Sequence, residues 1–200
     1  MPPEPAPADR QDRRKVRTRA ALVTAAQRLI REGRDSSASI QTITDLADVG
    51  FGSFYNHFES KEELFDAAVI GAMDDYLAWL DERLPDGGDP VVRLFESVRL
   101  TGRLATELPE TAAVLSRRFA LVGERADSLG IRMRADVLAA MTASTHEFDS
   151  AEVNTLLVAA SGAMQAVLSS AQSLSPEATA AAGDVLAYAV LRLLSIEPPA

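Results

Sequence analysis

The chain predicts an all-α protein in two parts, an N-terminal three-helix helix-turn-helix domain followed by a larger helical domain. Three observations carry that expectation. Thr42 to Lys61, TITDLADVGFGSFYNHFESK, reads as two short helices joined by a tight turn and closed by a dense aromatic cluster. Everything after it falls into apolar spacings of three and four, with no sustained alternation of the kind a strand requires. Charge is also divided along the chain: residues 10–34 hold nine Arg or Lys against two acids, whereas residues 66–200 hold ten basic and nineteen acidic side chains.

The elements follow in order. Pro2, Pro3, Pro5 and Pro7 make residues 1–12 a floppy tail, as Pro198 and Pro199 do at the other end. A first helix runs from Arg17 to Gly33, with Leu22, Ala25, Ala26, Leu29 and Ile30 on one stripe and Gly33 as its stop. The motif's first helix is marked by Ile40, Ile43 and Ala47 on one face, with Ser39 as N-cap. Asp48, Val49 and Gly50 break the pattern, Asp and Gly being residues that tolerate a left-handed turn. The second helix is expected over Phe51 to Phe58, where Phe54 and Phe58 pack inward against Ile43 and Ala47 and Gly52, Ser53, Tyr55, Asn56 and His57 take the other faces.

Ser60 caps a long connecting helix with Glu62 and Glu63 in its first turn, running along Leu64, Phe65, Ala68, Val69, Ala72, Met73, Tyr76, Leu80 and Leu84 to Pro85. Pro90 opens the next helix, to about Leu108, with Val91, Leu94, Phe95, Val98 and Ala105 inward. Arg99 and Arg103 lie off that stripe, at pairing distance from Glu96 and Glu107, and read as a solvated ladder. Pro109 starts a helix through Leu115, Phe119 and Val122, and a break at Ser128 to Gly130 precedes one carrying Met133, Val137, Leu138 and Met141. Val153 to Pro176 has no formally charged side chain, yet Asn154, Thr155, Ser161, Gln165, Ser169, Ser170 and Gln172 are too many polar groups for lipid. A helix buried on two sides fits better. Ser175 and Pro176 then start the last helix, which ends near Ile196.

Composition narrows the function. Two hundred residues at 47% apolar content bury a proper core, and the absence of cysteine removes disulfide and thiolate chemistry. Prolines and acids stand where a secretory signal needs an apolar stretch, which points to the cytoplasm. A net charge of −9 looks wrong for a nucleic-acid binder until the basic N-terminal stretch is set apart from the acidic body. An enzyme must find its chemistry without Walker loop, nucleophile elbow or His-Glu-x-x-His, and Gly50-Phe51-Gly52 lacks the third glycine of a dinucleotide fingerprint. His57 and His146 are the only histidines and have no partner at ligand spacing, so no catalytic residue, metal site or cofactor is expected.

VGFGSFYNHFESKEELF resembles the signature of the tetracycline-repressor (TetR/AcrR) family of bacterial transcription regulators, and Arg17 to Gly33 resembles that family's first helix. Some departures fall at functional positions: Asp48 replaces the turn glycine, Gly50 replaces the usual Ser cap, and Phe51 stands where a basic or polar residue is common. Base preference therefore does not carry over. The resemblance implies a helix-turn-helix DNA-binding domain over 13–60 and an effector-binding, dimerising domain over 61–197. It further implies phosphate contacts from Arg17, Arg19, Tyr55, His57 and Lys61, and approach to base edges by Gln41, Thr42, Phe51, Gly52, Ser53 and Asn56. The helices 151–194 lack a charged face of ordinary width and are expected to pair two copies into a homodimer. Tyr76, Trp79, Phe95, Phe119, Met133 and Met164 lie on stripes that surround a cavity in the resembling family, although residues at such spacing are more often plain core. The function implied is a ligand-responsive repressor released from a palindromic double-stranded DNA operator by a small, largely hydrophobic effector. An activator of the same fold, or a helical protein-binding module, are the alternatives.

Overall fold

The computed structural model describes residues 7–84, 87–122 and 127–199, with side chains over 11–84, 87–117 and 131–199. Phe119 falls outside the described side chains. The described residues form helices α1 (Pro7–Arg31), α2 (Ile40–Leu46), α3 (Phe51–Phe54), α4 (Lys61–Arg83), α5 (Pro90–Glu107), α6 (Pro109–Val122), α7 (Asp127–Met141), α8 (Ser150–Ser170) and α9 (Pro176–Leu193), with no strand among them. The chain divides into two compact units, Met1–Gly71 and Ala72–Ala200. That division lies within α4, whereas the sequence placed it at residues 60 and 61.

In the first unit, α1 buries the expected stripe, with Leu22, Ala26, Leu29 and Ile30 fully inside. The helix begins at Pro7, well before Arg17, so residues 7–12 are helical and not tail. A proline is tolerated in a first turn because its missing N–H would be unpaired there anyway. Gly33 ends the helix at φ +67°, and the amides of Gly33 and Arg34 reach back to Ile30 and Leu29 at 3.0 and 2.9 Å. This crossed pair needs a left-handed residue, which glycine supplies without steric cost. The first turns of α4 bury Leu64, Phe65, Ala68 and Val69, and Gln27 of α1 donates to the carbonyl of Ala68 at 3.1 Å.

The second unit is built on α5 against α9. Gly102 and Gly183 meet at that crossing: a Cβ on Gly102 would sit 2.8 Å from the Cα of Gly183, and one on Gly183 would sit 2.7 Å from the Cα of Gly102. Beside them Arg103 donates to both carboxylate oxygens of Asp184 at 2.8 and 3.1 Å, and Arg99 donates to Asp184 at 3.0 Å and to Glu96 at 2.7 Å. The expected ladder is therefore corrected. Arg99 keeps its Glu96 partner, but Arg103 clamps α9, and Glu107 pairs with Arg83. Arg103, then Arg99, hold the Asp184 carboxyl below its usual range against burial. The clamp's contribution is thus complete at neutral pH and fades as acid protonates Asp184.

Val91, Leu94, Phe95, Val98, Met133, Val137, Leu157, Met164, Val190 and Leu191 share one core. The break expected at Ser128 to Gly130 is absent, since α7 runs through those residues. α8 starts on a capping box in which Asp149 accepts from the amides of Ala151 and Glu152 and Glu152 accepts from Asp149. By length and composition it could cross a bilayer, but it packs into this unit, burying Leu157, Ala160, Met164, Val167 and Leu168. Ser175 caps α9 with Pro176 in its first turn, as expected.

Candidate nucleic-acid interface

The helix-turn-helix is assembled by local chemistry. The Ser39 hydroxyl accepts from the Thr42 amide at 3.0 Å and caps α2. After Ala47 the chain turns through Asp48 at φ +53°, and the Val49 amide bonds the carbonyl of Thr44 at 3.0 Å. Asp48 thus does what glycine commonly does, at a small steric cost that Asp and Asn bear better than other residues. Gly50 then caps α3 with backbone only. Phe54 and Phe58 are buried with ring centroids 6.1 Å apart, as their spacing required. The helix itself is shorter than the expected Phe51 to Phe58. It ends at Phe54, where the amides of His57 and Phe58 both converge on the Phe54 carbonyl, a tightened final turn.

Around this scaffold the predicted contacts separate. Phe51 and Tyr55 stand half-exposed, edge to face at 6.0 Å, with Asn56 and Gly52 also exposed, and nothing lies within 4 Å of where a Cβ on Gly52 would be. Arg17 and Arg19 are exposed on α1, the guanidinium of Arg19 lying 5.1 Å from the Phe58 ring centre. Three others are engaged within the protein. Lys61 donates from its ammonium to the carbonyls of Ala38 at 3.0 Å and Ser36 at 3.3 Å, holding the loop before α2. Gln41 donates to Asp45 at 2.6 Å, and the Thr42 hydroxyl meets that of Ser39 at 2.9 Å.

A groove of about 520 Å³ joins the two halves of the surface: Gln11, Arg14, Lys15 and Thr18 of α1 face Ser53, Asn56 and His57 beyond the turn. Arg14 and Lys15 belong to the basic run 10–19 that the charge division sets where a phosphate backbone would be met. Burial, then the charges of Lys15 and Arg19, push the His57 imidazole below its usual value, so it is neutral at pH 7 in the free protein. A polyanion in the groove offsets those charges and favours the imidazolium. Binding DNA should then take up a proton at His57, and affinity should rise as pH falls toward the lowered pKa of the free imidazole, by at most about tenfold per pH unit for each His57. His57→Gln should flatten the profile in fluorescence-anisotropy titrations; an equally steep profile in that variant places the proton elsewhere.

In the second unit Phe95, Met133 and Met164 belong to one core. Tyr76 and Trp79 stack at 6.2 Å, and Arg83 covers the Trp79 ring at 4.5 Å. Thr101 passes its hydroxyl proton to the carbonyl of Ser97 at 2.8 Å, so at 2.6 Å the Tyr76 hydroxyl donates to Thr101. Burial drives the Tyr76 phenol up to about 12. Among the described residues no group of three or more His, Cys, Asp or Glu is gathered as a metal site.

A helix-turn-helix with a basic groove beside it is thus followed by a larger all-helical unit. Residues 22–68 match the family model for bacterial regulatory proteins of the tetR family. The chain is 34% identical over 79 residues to the HTH-type transcriptional repressor DhaR of Mycobacterium sp. (strain GP1), a match spanning 40% of each chain. The fold continues past that match. A TetR-family transcriptional regulator from Rhodococcus sp. superposes with a TM-score of 0.69 at 18% identity, over 90% of this chain and all of that one. RolR, solved in complex with resorcinol, does so at 0.60 and 24% identity, over 92% and 91%.

Proposed function

We propose that the protein is a homodimeric transcriptional repressor that leaves a palindromic operator when a small, largely hydrophobic effector binds its second unit. The observation that carries this reading is the groove in which Arg14 and Lys15 face Ser53, Asn56 and His57 beside exposed Phe51 and Tyr55. Cations there meet phosphates and set position, while the polar and aromatic groups beyond the turn reach base edges. The kinship with DhaR, named a repressor, favours repression over activation.

The dimer is proposed through α8 and α9. Val158 and Val185 are 73% and 70% exposed, with Tyr188 and Leu193 also bare, on two helices that pack together and leave an apolar outer face. Pairing that face across a two-fold axis gives a four-helix interface and sets two motifs on half-sites about 34–36 Å apart or a multiple of that distance. The effector site is proposed around Tyr76, Trp79, Phe95, Met133 and Met164. RolR, solved in complex with resorcinol, supports a small-molecule site in a protein of this fold. Coupling runs through α4, which contains the boundary between the units, and the ligand acts only by its differential affinity for two separations of the motifs. A regulator of this kind works in the cytoplasm.

Footprinting on the DNA flanking the protein's own coding region should show a protected palindrome whose binding weakens steeply with salt. Gly52→Ala supplies the control. Its methyl meets nothing in the protein, so the fold should be unchanged or up to about 0.5 kcal/mol more stable, while operator affinity drops as the methyl collides with the groove floor. Salt-independent binding, or a variant that binds as well as the parent, overturns the assignment; binding to protein alone favours the helical-bundle reading.

A further inference from the structure

Phe51 is the first residue of α3, the second helix of the helix-turn-helix, and it is 49% exposed. In this motif the opening residues of that helix are the ones that meet base edges in the major groove. A phenyl ring is an unusual group for such a place, because it has no hydrogen-bonding atom. The ring is also held. It lies edge to face with Tyr55 at 6.0 Å, and Tyr55 lies edge to face with Phe54 at 5.3 Å. Phe54 is fully buried and packs against Phe58 at 6.1 Å, so the exposed ring is braced through Tyr55 onto the core of its own unit. Gly52 beside it adds no bulk, which lets the groove floor come close.

The major groove offers such a ring one matching surface. Base edges there present hydrogen-bond donors and acceptors, and covering these with an apolar group removes their water without replacing it. The C5-methyl of thymine is the exception, an apolar knob that a ring can cover without that cost. A basic side chain at the same position would seek guanine instead. Because Phe51 is braced before DNA arrives, little rotamer freedom is lost when the contact forms.

We propose that Phe51 reads the C5-methyl of a thymine in each operator half-site, with Tyr55 as the positioning residue that fixes its ring. This rests on the DNA-binding reading above and sharpens it. The operator carries thymine at one symmetric pair of positions, and 5-methylcytosine supplies the same methyl there.

The test starts from duplexes that the full-length protein selects out of a random-sequence library. Each thymine of the selected site is then replaced by deoxyuridine, which lacks only the methyl, and affinity is measured by fluorescence anisotropy. One symmetric pair should respond. Affinity should fall about fourfold when one of its methyls is removed and about fifteenfold when both are, the value of burying one methyl-sized group in each half-site. With cytosine at that pair, 5-methylation should recover about fourfold per site. Phe51→Ala should abolish the methyl dependence at that pair and leave the other positions as they were. Tyr55→Ala should blunt it, whereas Tyr55→Phe keeps the ring and should retain it, whatever the hydroxyl adds to overall affinity. A selected duplex with no uracil-sensitive pair, or a sensitivity that Phe51→Ala leaves intact, overturns the proposal while DNA binding stands. An undiminished sensitivity in Tyr55→Ala removes Tyr55 from the positioning role. Selection that enriches no sequence removes the DNA-binding reading and this one with it.

Discussion

Gly183→Val should unfold the second unit at temperatures the parent survives. The branched side chain starts from a Cβ that would lie 2.7 Å from the Cα of Gly102, 3.0 Å from its nitrogen and 3.2 Å from the carbonyl oxygen of Arg99. All three are backbone atoms of α5, so no rotamer change relieves the overlap, and the helices must separate along a contact that sets much of the unit's core. Overpacking of this kind costs about 3 kcal/mol or more. The Arg103–Asp184 clamp cannot compensate, because an ion pair this exposed is worth little. Gly102→Ala and Gly183→Ala should each cost less and combine non-additively, since each fills the space of the other. Circular dichroism melts read the effect. A Gly183→Val protein melting within about a degree of the parent removes the crossing from the list of determinants.

Val158→Glu and Val185→Glu should leave each protomer folded yet split the proposed dimer. Both side chains are largely exposed in the single chain, so the substitution costs the protomer nothing, but in the paired assembly it buries an unpaired charge in each copy. The dissociation constant should rise about a hundredfold or more, with operator affinity falling in step. Ala160→Glu is a different experiment: Ala160 is 8% exposed within its own protomer, so that change breaks the fold before it reaches any partner. Sedimentation decides. A parent protein that is monomeric at micromolar concentration, or a Val158→Glu dimer as tight as the parent, removes α8 and α9 from the interface.

Much of the architecture was legible because it is written in periodicity and caps. The stripes of α1 and α4 and the caps Ser39 and Ser175 are local properties, and they lie where the spacing put them. Other features depend on tertiary context. The start of α1 was placed ten residues late because four prolines outweighed the helical pattern behind them. The basic run Arg10–Arg19 is expected to meet phosphate, but the late start leaves Gln11, Arg14 and Lys15 outside a helix and so conceals the face they share with Thr18. Arg103 was read as solvated because Glu107 lies at helical distance, whereas Asp184, its actual partner, stands on another helix. Lys61 likewise finds the carbonyls of Ser36 and Ala38, acceptors that no side-chain pattern announces.

The bare outer face of α8 and α9 also has a consequence for gene dosage. Where the active species is a pair, its amount at low abundance grows as the square of the number of chains, so halving synthesis removes about three quarters of it. Solitary chains would meanwhile expose Val158, Val185 and Leu193, which favours their clearance over that of pairs. If the proposed pairing holds, these two effects together turn a modest change in expression into a steep change in occupancy at the proposed operator.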